Sequence, residues 1–234
     1  MIGIATKFAP TAAAYAAARE AGFRRFELWT DAAVLAGWQE VVALAAAAPG
    51  EHVLHFPNKL DQLPETLAHA AALYRALGCQ TMVIHQPHVD RHGPALLALD
   101  PALRLAVENH KLTPGAFRDW AGRNEWLTLD VEHLWKFTLR DAPLTELLAA
   151  VGAFLAEFGG KLRHVHLPGY LPGQPEHRPM VCSRDMVLGV LSLLEAARFG
   201  GFIVSEVNEE FQNVDDLHMD VLLFRRWRAL HGGG

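Results

Sequence analysis

Short apolar runs alternate with longer Ala- and Leu-rich amphipathic stretches from one end of the chain to the other. The runs read as strands at 2–6 (IGIAT), 24–29 (RRFELW), 51–56 (EHVLHF), 80–85 (QTMVIH), 103–109 (LRLAVEN), 126–131 (WLTLDV), 162–167 (LRHVHL) and 201–207 (GFIVSEV). Between them the spacing predicts helices at about 11–21, 32–47, 61–76, 114–122, 143–157, 184–197 and 215–229. Pro10-Thr11, and Asp61 ahead of Pro64, are helix-start signals, while Gly22, Gly78 and Gly200-Gly201 sit where helices should stop.

Eight strands alternating with helices over this length is the pattern of a (β/α)8 TIM barrel. An open doubly wound sheet would use fewer strands and a Gly-rich first turn, which is missing here. Between His85 and Leu103 only the Pro-punctuated segment QPHVDRHGPALLALDPA remains. The expected barrel therefore has a shortened or missing fourth helix. One domain over 1–230, with residues 231–234 as a flexible tail, is the simplest organisation.

Composition narrows the class. Half of the 234 residues are hydrophobic and a fifth are charged, as in a soluble globular protein. The balance of 21 basic against 26 acidic residues, −5 overall, includes no Lys/Arg run, so nucleic acid is not favoured as a partner, although charge alone does not exclude it. Cys79 and Cys182 are far apart and form no CxxC pair, which points to a reducing compartment, the cytoplasm. The Ala-rich start lacks a basic n-region and is broken by Pro10, so it reads as strand, turn and helix rather than a signal peptide. No apolar run approaches the ~18 residues of a membrane span. The oligomeric state is left open.

The chemistry lies where strands end, because active sites of such barrels sit at the C-terminal ends of the strands. Eight of the 13 histidines lie at or just past strand ends: 55, 85, 88, 110, 133, 164, 166 and 177. Glu27, Glu108, Asp130 and Glu206 join them. Alternation along each strand sends Leu105 and Val107 to the helices and Glu108 and His110 into the barrel. The same parity turns Leu127, Leu129 and Val131 outward and Asp130 inward, and separates Glu206 from Ile203, Ser205 and Val207. A single buried histidine is ordinarily satisfied by a hydrogen bond. Glu108, Asp130, His166 and Glu206 together in one mouth would be costly without a cation. Mixed carboxylate and imidazole donors suit Zn²⁺, Mn²⁺, Fe²⁺ or Co²⁺. Trp29 and Trp135 read either as stacking walls for a substrate or as caps on the barrel. Lys7 and Arg178 are open to binding an anionic group or to ordinary surface roles.

The order Glu, Asp-x-x-His, His, Glu on strands five to eight, in AVENH, LDVEH, HVHL and IVSEV, resembles the xylose isomerase-like TIM barrel superfamily. GFRRFELW and VIHQPH are also similar to its patterns. That superfamily includes sugar isomerases and epimerases and the endonuclease IV class. The resemblance covers nearly the whole chain, and its specificity lies in the order and spacing of the motifs.

The resemblance implies a divalent metal on Glu108, Asp130, His166 and Glu206, with Glu108 and Glu206 as acid and base on opposite faces of a ketose. The expected function is a metal-dependent isomerase or epimerase of a small sugar-like molecule. Glu27, His133, Arg178 and Trp29 are the candidates for substrate binding. The alternatives are an endonuclease IV-like phosphodiesterase, and a lyase or dehydratase on the same scaffold. The endonuclease branch implies a fuller ligand set, which His55, His85, His133 and His177 would match; His133 is thus either a second ligand or a substrate group. Two departures weigh against that branch: its acidic residue two positions before the last histidine is Pro175 here, with Glu176 adjacent, and its acid three positions after the seventh-strand histidine is Gly169.

Overall fold

The computed structural model describes residues 2–59 and 63–231. Asp61, the expected start signal, and the last three residues of the expected tail lie outside the described residues. The eight strands close into a barrel in sequence order, every neighbouring pair parallel. They are β1 (Gly3–Phe8), β2 (Arg25–Trp29), β3 (Glu51–His55), β4 (Met82–His85), β5 (Leu105–Glu108), β6 (Trp126–Asp130), β7 (Leu162–His166) and β8 (Phe202–Ser205). No helix among the described residues is long and apolar enough to cross a membrane.

Around the strands run α1 (Ala12–Ala21), α2 (Ala32–Ala36), α3 (Trp38–Ala47), α4 (Leu63–Ala76), α5 (Gln86–Leu99), α6 (Pro114–Arg123), α7 (Val131–His133), α8 (Leu144–Phe158), α9 (Arg184–Ala196) and α10 (Val214–His231). Thr11 starts α1 by accepting the Ala14 amide, and left-handed Gly22 ends it. The helix expected over 32–47 is broken at Gly37 into α2 and α3. The stop expected at Gly200-Gly201 comes earlier, at Arg198, which takes the left-handed conformation itself.

The expectation of a short or absent fourth helix is wrong. α5 is 14 residues long and starts immediately after β4. Pro87 lies in its first turn, where an amide needs no helical partner, and Pro94 removes a bond from the interior without ending the helix. His92, Gly93 and Leu96 supply the buried face, a pattern too poor in large apolar residues to stand out in the sequence.

Each strand faces two environments. Outward residues such as Leu28, Leu54, Ile84, Val107, Leu127, Leu129, Val165 and Ile203 pack with the helices in the main core; each such side chain contributes ~1.5–3 kcal/mol by leaving water. Inward, Ala5, Val53, Val83, Phe202 and Val204 form a small apolar layer. Below it Arg25 pairs with Glu51 at 2.7 Å and lies over the Phe202 ring. Gly3 makes room for that arginine, since a Cβ there would collide with its guanidinium. With the bottom of the barrel filled, the polar strand ends gather at the top.

Candidate metal centre

The Asp-x-x-His spacing of β6 has a local cause. Asp130 is the N-cap of α7, and its Oδ1 accepts the His133 amide at 2.7 Å. Capping uses one carboxylate oxygen and leaves Oδ2 buried without a hydrogen-bond partner. A π-helical turn, Leu134–Thr138, follows directly, a wide turn that recurs beside functional sites. It carries Trp135 into the core, where the indole N–H donates to the Ala142 carbonyl, so Trp135 is not a substrate wall.

Glu108, at the end of β5, is the hub. Its Oε2 lies 3.4 Å from His55 Nε2, 3.4 Å from His85 Nε2 and 3.6 Å from His166 Nδ1, while its Oε1 lies 3.3 Å from His133 Nδ1. His166 stands at the centre. Its Nε2 is 3.0 Å from Glu27 Oε2, which places the proton on that nitrogen. Its Nδ1 then faces Glu206 Oε2 at 2.7 Å and Asp130 Oδ2 at 3.7 Å.

A divalent cation fits this donor set. Asp130 Oδ2, His166 Nδ1 and Glu206 Oε2 are all buried, and His166 Nδ1 faces the two carboxylate oxygens at 3.7 and 2.7 Å, the three converging on one point. Donor atoms of Glu108, Asp130 and His166 come within 4.8 Å of one another, as do those of His55, His85 and Glu108. Glu27 behind His166 makes the carboxylate–histidine pair that commonly orients a metal-binding imidazole. Those residues would hold the ion, and the mixture of imidazole and carboxylate suits Zn²⁺, Mn²⁺, Co²⁺ or Fe²⁺.

The protonation states follow from crowding. Burial would raise the Glu108 and Glu206 carboxyls, but His166, together with His85 for Glu108 and Lys7 for Glu206, holds both well below the usual range. Burial would lower His166, but Glu206, Glu27 and Glu108 hold it well above its ordinary value. His133 is likewise pushed up to about 9, against burial, by Asp130 and Glu108. In effect His133 and His166 carry positive charge where a metal would otherwise carry it.

A cavity of about 680 Å³ is lined by Glu206, His177, Lys7 and Trp29 and by Ala13 and Ala17 of α1; of the four proposed ligands only Glu206 reaches it. Trp29, a candidate for substrate binding, is among the lining residues. Glu27 is not: it is fully buried, bound to Lys7, His164 and His166, and does not line the cavity. Arg178 also stays out of the lining, its backbone bridged to Gly169 by two hydrogen bonds. That bridge closes the loop carrying His177, which the Glu132 carboxylate anchors through the His177 amide at 2.9 Å. His177 is held there in a left-handed conformation, φ 58°, a strain that side chains at functional sites often carry. Its donor atoms converge with those of His133 and Glu176, but Glu176 also pairs with Lys136 at 2.5 Å. Pro175 is exposed, and a Cβ on Gly169 would collide with the Pro179 carbonyl oxygen. Neither position supplies an acid.

Four residues of the site escaped the sequence reading or were set aside. Lys7 bonds Glu206, Glu132 anchors the His177 loop, and Asn109 brackets the Asp130 backbone. His164 lies one layer deeper than the strand-end groups, bound to Glu27. Lys7 was legible in principle: it continues the inward parity of Gly3 and Ala5, but the apolar run on which the strand was drawn stops at Thr6.

No protein-family model matches the sequence, and no curated protein matches it. Solved structures do resemble its fold. A D-tagatose 3-epimerase-like protein superposes with a TM-score of 0.67 at 15% identity, covering 98% of both chains. Endonuclease IV from Thermus thermophilus gives 0.65 at 16% identity, covering 97% of this chain and 99% of that one. D-allulose 3-epimerase from Methylomonas sp., solved in complex with D-allulose, gives 0.59 at 17% identity, covering 97% of each.

Proposed function

We propose that this chain, which has the xylose isomerase-like barrel fold, is a divalent-metal-dependent isomerase or epimerase of a small sugar or sugar-like substrate. The observation that carries the reading is the convergence of Glu108, Asp130, His166 and Glu206, with buried donor atoms of the last three facing one another, beside a cavity large enough for a sugar. The solved epimerases of the same fold support it.

Glu108, Asp130, His166 and Glu206 would hold the ion, which supplies Lewis acidity that polarises a substrate carbonyl and acidifies the neighbouring C–H. Glu206, at the cavity wall, takes that proton as general base. On the other face the proton would be returned through Glu108, at the end of β5, which takes it from the protonated His133 ring 3.3 Å from its Oε1. Trp29 offers a ring face to the sugar, and His177 offers a ring nitrogen to a hydroxyl. The buried walls around His55 and His166 keep bulk water from competing for the proton.

The test is solvent exchange. Ketohexoses incubated with the metal-loaded protein in heavy water should gain deuterium at the carbon next to the carbonyl, and Glu206→Gln and Glu108→Gln should each lower that rate by about 100-fold or more. No exchange from any ketose would overturn the reading. A second reading, a metal-dependent phosphodiesterase, draws on the extra donors His55, His85, His133 and His177 and on the likeness to endonuclease IV. Incision of an abasic-site oligonucleotide would put it first. Loss of water from the substrate instead of exchange would indicate a lyase or dehydratase.

A further inference from the structure

Lys7 sits at the end of β1, in register with Glu27 and almost wholly buried. Its ammonium lies 2.6 Å from Glu206 Oε1 and 3.4 Å from Glu27 Oε1. The other oxygen of each carboxylate faces His166: Glu206 Oε2 is 2.7 Å from Nδ1, and Glu27 Oε2 is 3.0 Å from Nε2. The four side chains thus form a closed circuit, Lys7 to Glu206 to His166 to Glu27 and back to Lys7, in which each carboxylate spends Oε1 on the lysine and Oε2 on the histidine.

We propose that Lys7 is a built-in counter-cation of the metal centre, a positioning residue that holds Glu206 Oε1, leaves only the oxygen facing His166 to the ion, and takes the place a second divalent ion would need between Glu27 and Glu206. The inference rests on the metal-site reading above. Two carboxylates on or just past the strands that flank β1, Glu27 fully buried and Glu206 largely so, both within 3.4 Å of one ammonium, require positive charge close by. A lysine supplies it at a fixed point, on a tether, without opening a coordination position. Because the ammonium holds Oε1, Glu206 would offer an ion only Oε2. Because the same ammonium also holds Glu27, the carboxylate that sets the His166 proton on Nε2 keeps its orientation whether or not the metal is present. One residue therefore governs two ligands, Glu206 directly and His166 through Glu27.

The experiment is titration of metal-free protein with Co²⁺, reading bound equivalents by elemental analysis and ligand geometry by visible absorption. Lys7→Met keeps the length of the side chain and removes the charge; Lys7→Gln serves if the methionine variant does not fold; Lys7→Arg restores the charge. The uncharged variant should bind one equivalent more than the wild type, with a changed absorption spectrum, while Lys7→Arg keeps the wild-type stoichiometry. The proposal is overturned if the folded, uncharged variant matches the wild type in both stoichiometry and spectrum, or binds less metal. Wild type that binds metal, alongside an unchanged variant, sinks the lysine proposal alone. Wild type without metal sinks the metal-site reading, and the lysine proposal with it.

Discussion

Asn109 and Asp130 exchange a pair of hydrogen bonds: Asn109 Nδ2 donates to the Asp130 carbonyl at 2.8 Å, and the Asp130 amide donates to Asn109 Oδ1 at 2.6 Å. Both residues are fully buried, so the amide of Asn109 completes the β5–β6 edge where the ladder itself has stopped. Asn109→Ala leaves a buried N–H and a buried C=O unpaired. The expected loss is ~2–4 kcal/mol of stability, measured by urea denaturation. Asn109→Asp keeps the acceptor and loses the donor, and should fall between alanine and wild type.

That pairing marks what sequence reading can and cannot reach. The inward placement of Glu108, Asp130 and Glu206 was readable because a barrel strand meets helices on one face and the interior on the other, so polarity alternates with the residue. The fold followed from the same alternation repeated eight times. The support of the site was not readable, because it crosses between strands. Glu27 belongs under His166 rather than against a substrate, and nothing within RRFELW shows that. Glu132 and Asn109 stand beside recognised motif residues, yet their partners, the His177 amide and the Asp130 backbone, are fixed by the closed barrel alone.

Asp220, on α10, is buried against Ser205, the residue before Glu206, whose hydroxyl donates to it. Burial raises its carboxyl from 3.8 to about 7, against the pull of Ser205 and the Met180 and Val181 amides. The fold therefore favours the protonated form. The contribution to stability is fully present below pH ~4 and is lost as the pH rises through about 7, up to ~4 kcal/mol in all. Asp220→Asn should show no such loss. Its stability advantage over wild type, from denaturation curves at pH ~4 to ~8, should grow to pH ~7 and then level off; a constant difference would place the ionised form in the native state.

Gly169 tests whether the missing acid after β7 can be restored. A side chain there collides with the Pro179 carbonyl, and that backbone is bonded to Gly169 through Arg178 on both strands of the bridge. Gly169→Asp should cost ~1–3 kcal/mol or more by forcing the loop outward. It should add no metal equivalent, because His177 moves away with the loop. Limited proteolysis near Leu171–Pro175 should accelerate in the variant. A second bound Zn²⁺ without loss of stability would show instead that the loop accommodates an acid.

Asp130 performs two tasks with two oxygens, and they can be separated. Oδ1 caps α7 through the His133 amide, and Oδ2 faces His166 and His133 without a hydrogen bond. Asparagine can still cap but lacks the charge a cation requires; alanine loses both. In the absence of metal, Asp130→Asn should unfold near the wild-type midpoint, whereas Asp130→Ala should lose ~1–2 kcal/mol. Divalent metal at about 100 times its Kd should stabilise the wild type by ~2.7 kcal/mol, since a ligand of the native state alone acts by mass action. At that same concentration both variants should gain far less. If Asp130→Asn is stabilised by metal as strongly as the wild type, Asp130 is a structural cap and not a ligand, and the centre must be rebuilt around Glu108 and the imidazoles of His55 and His85.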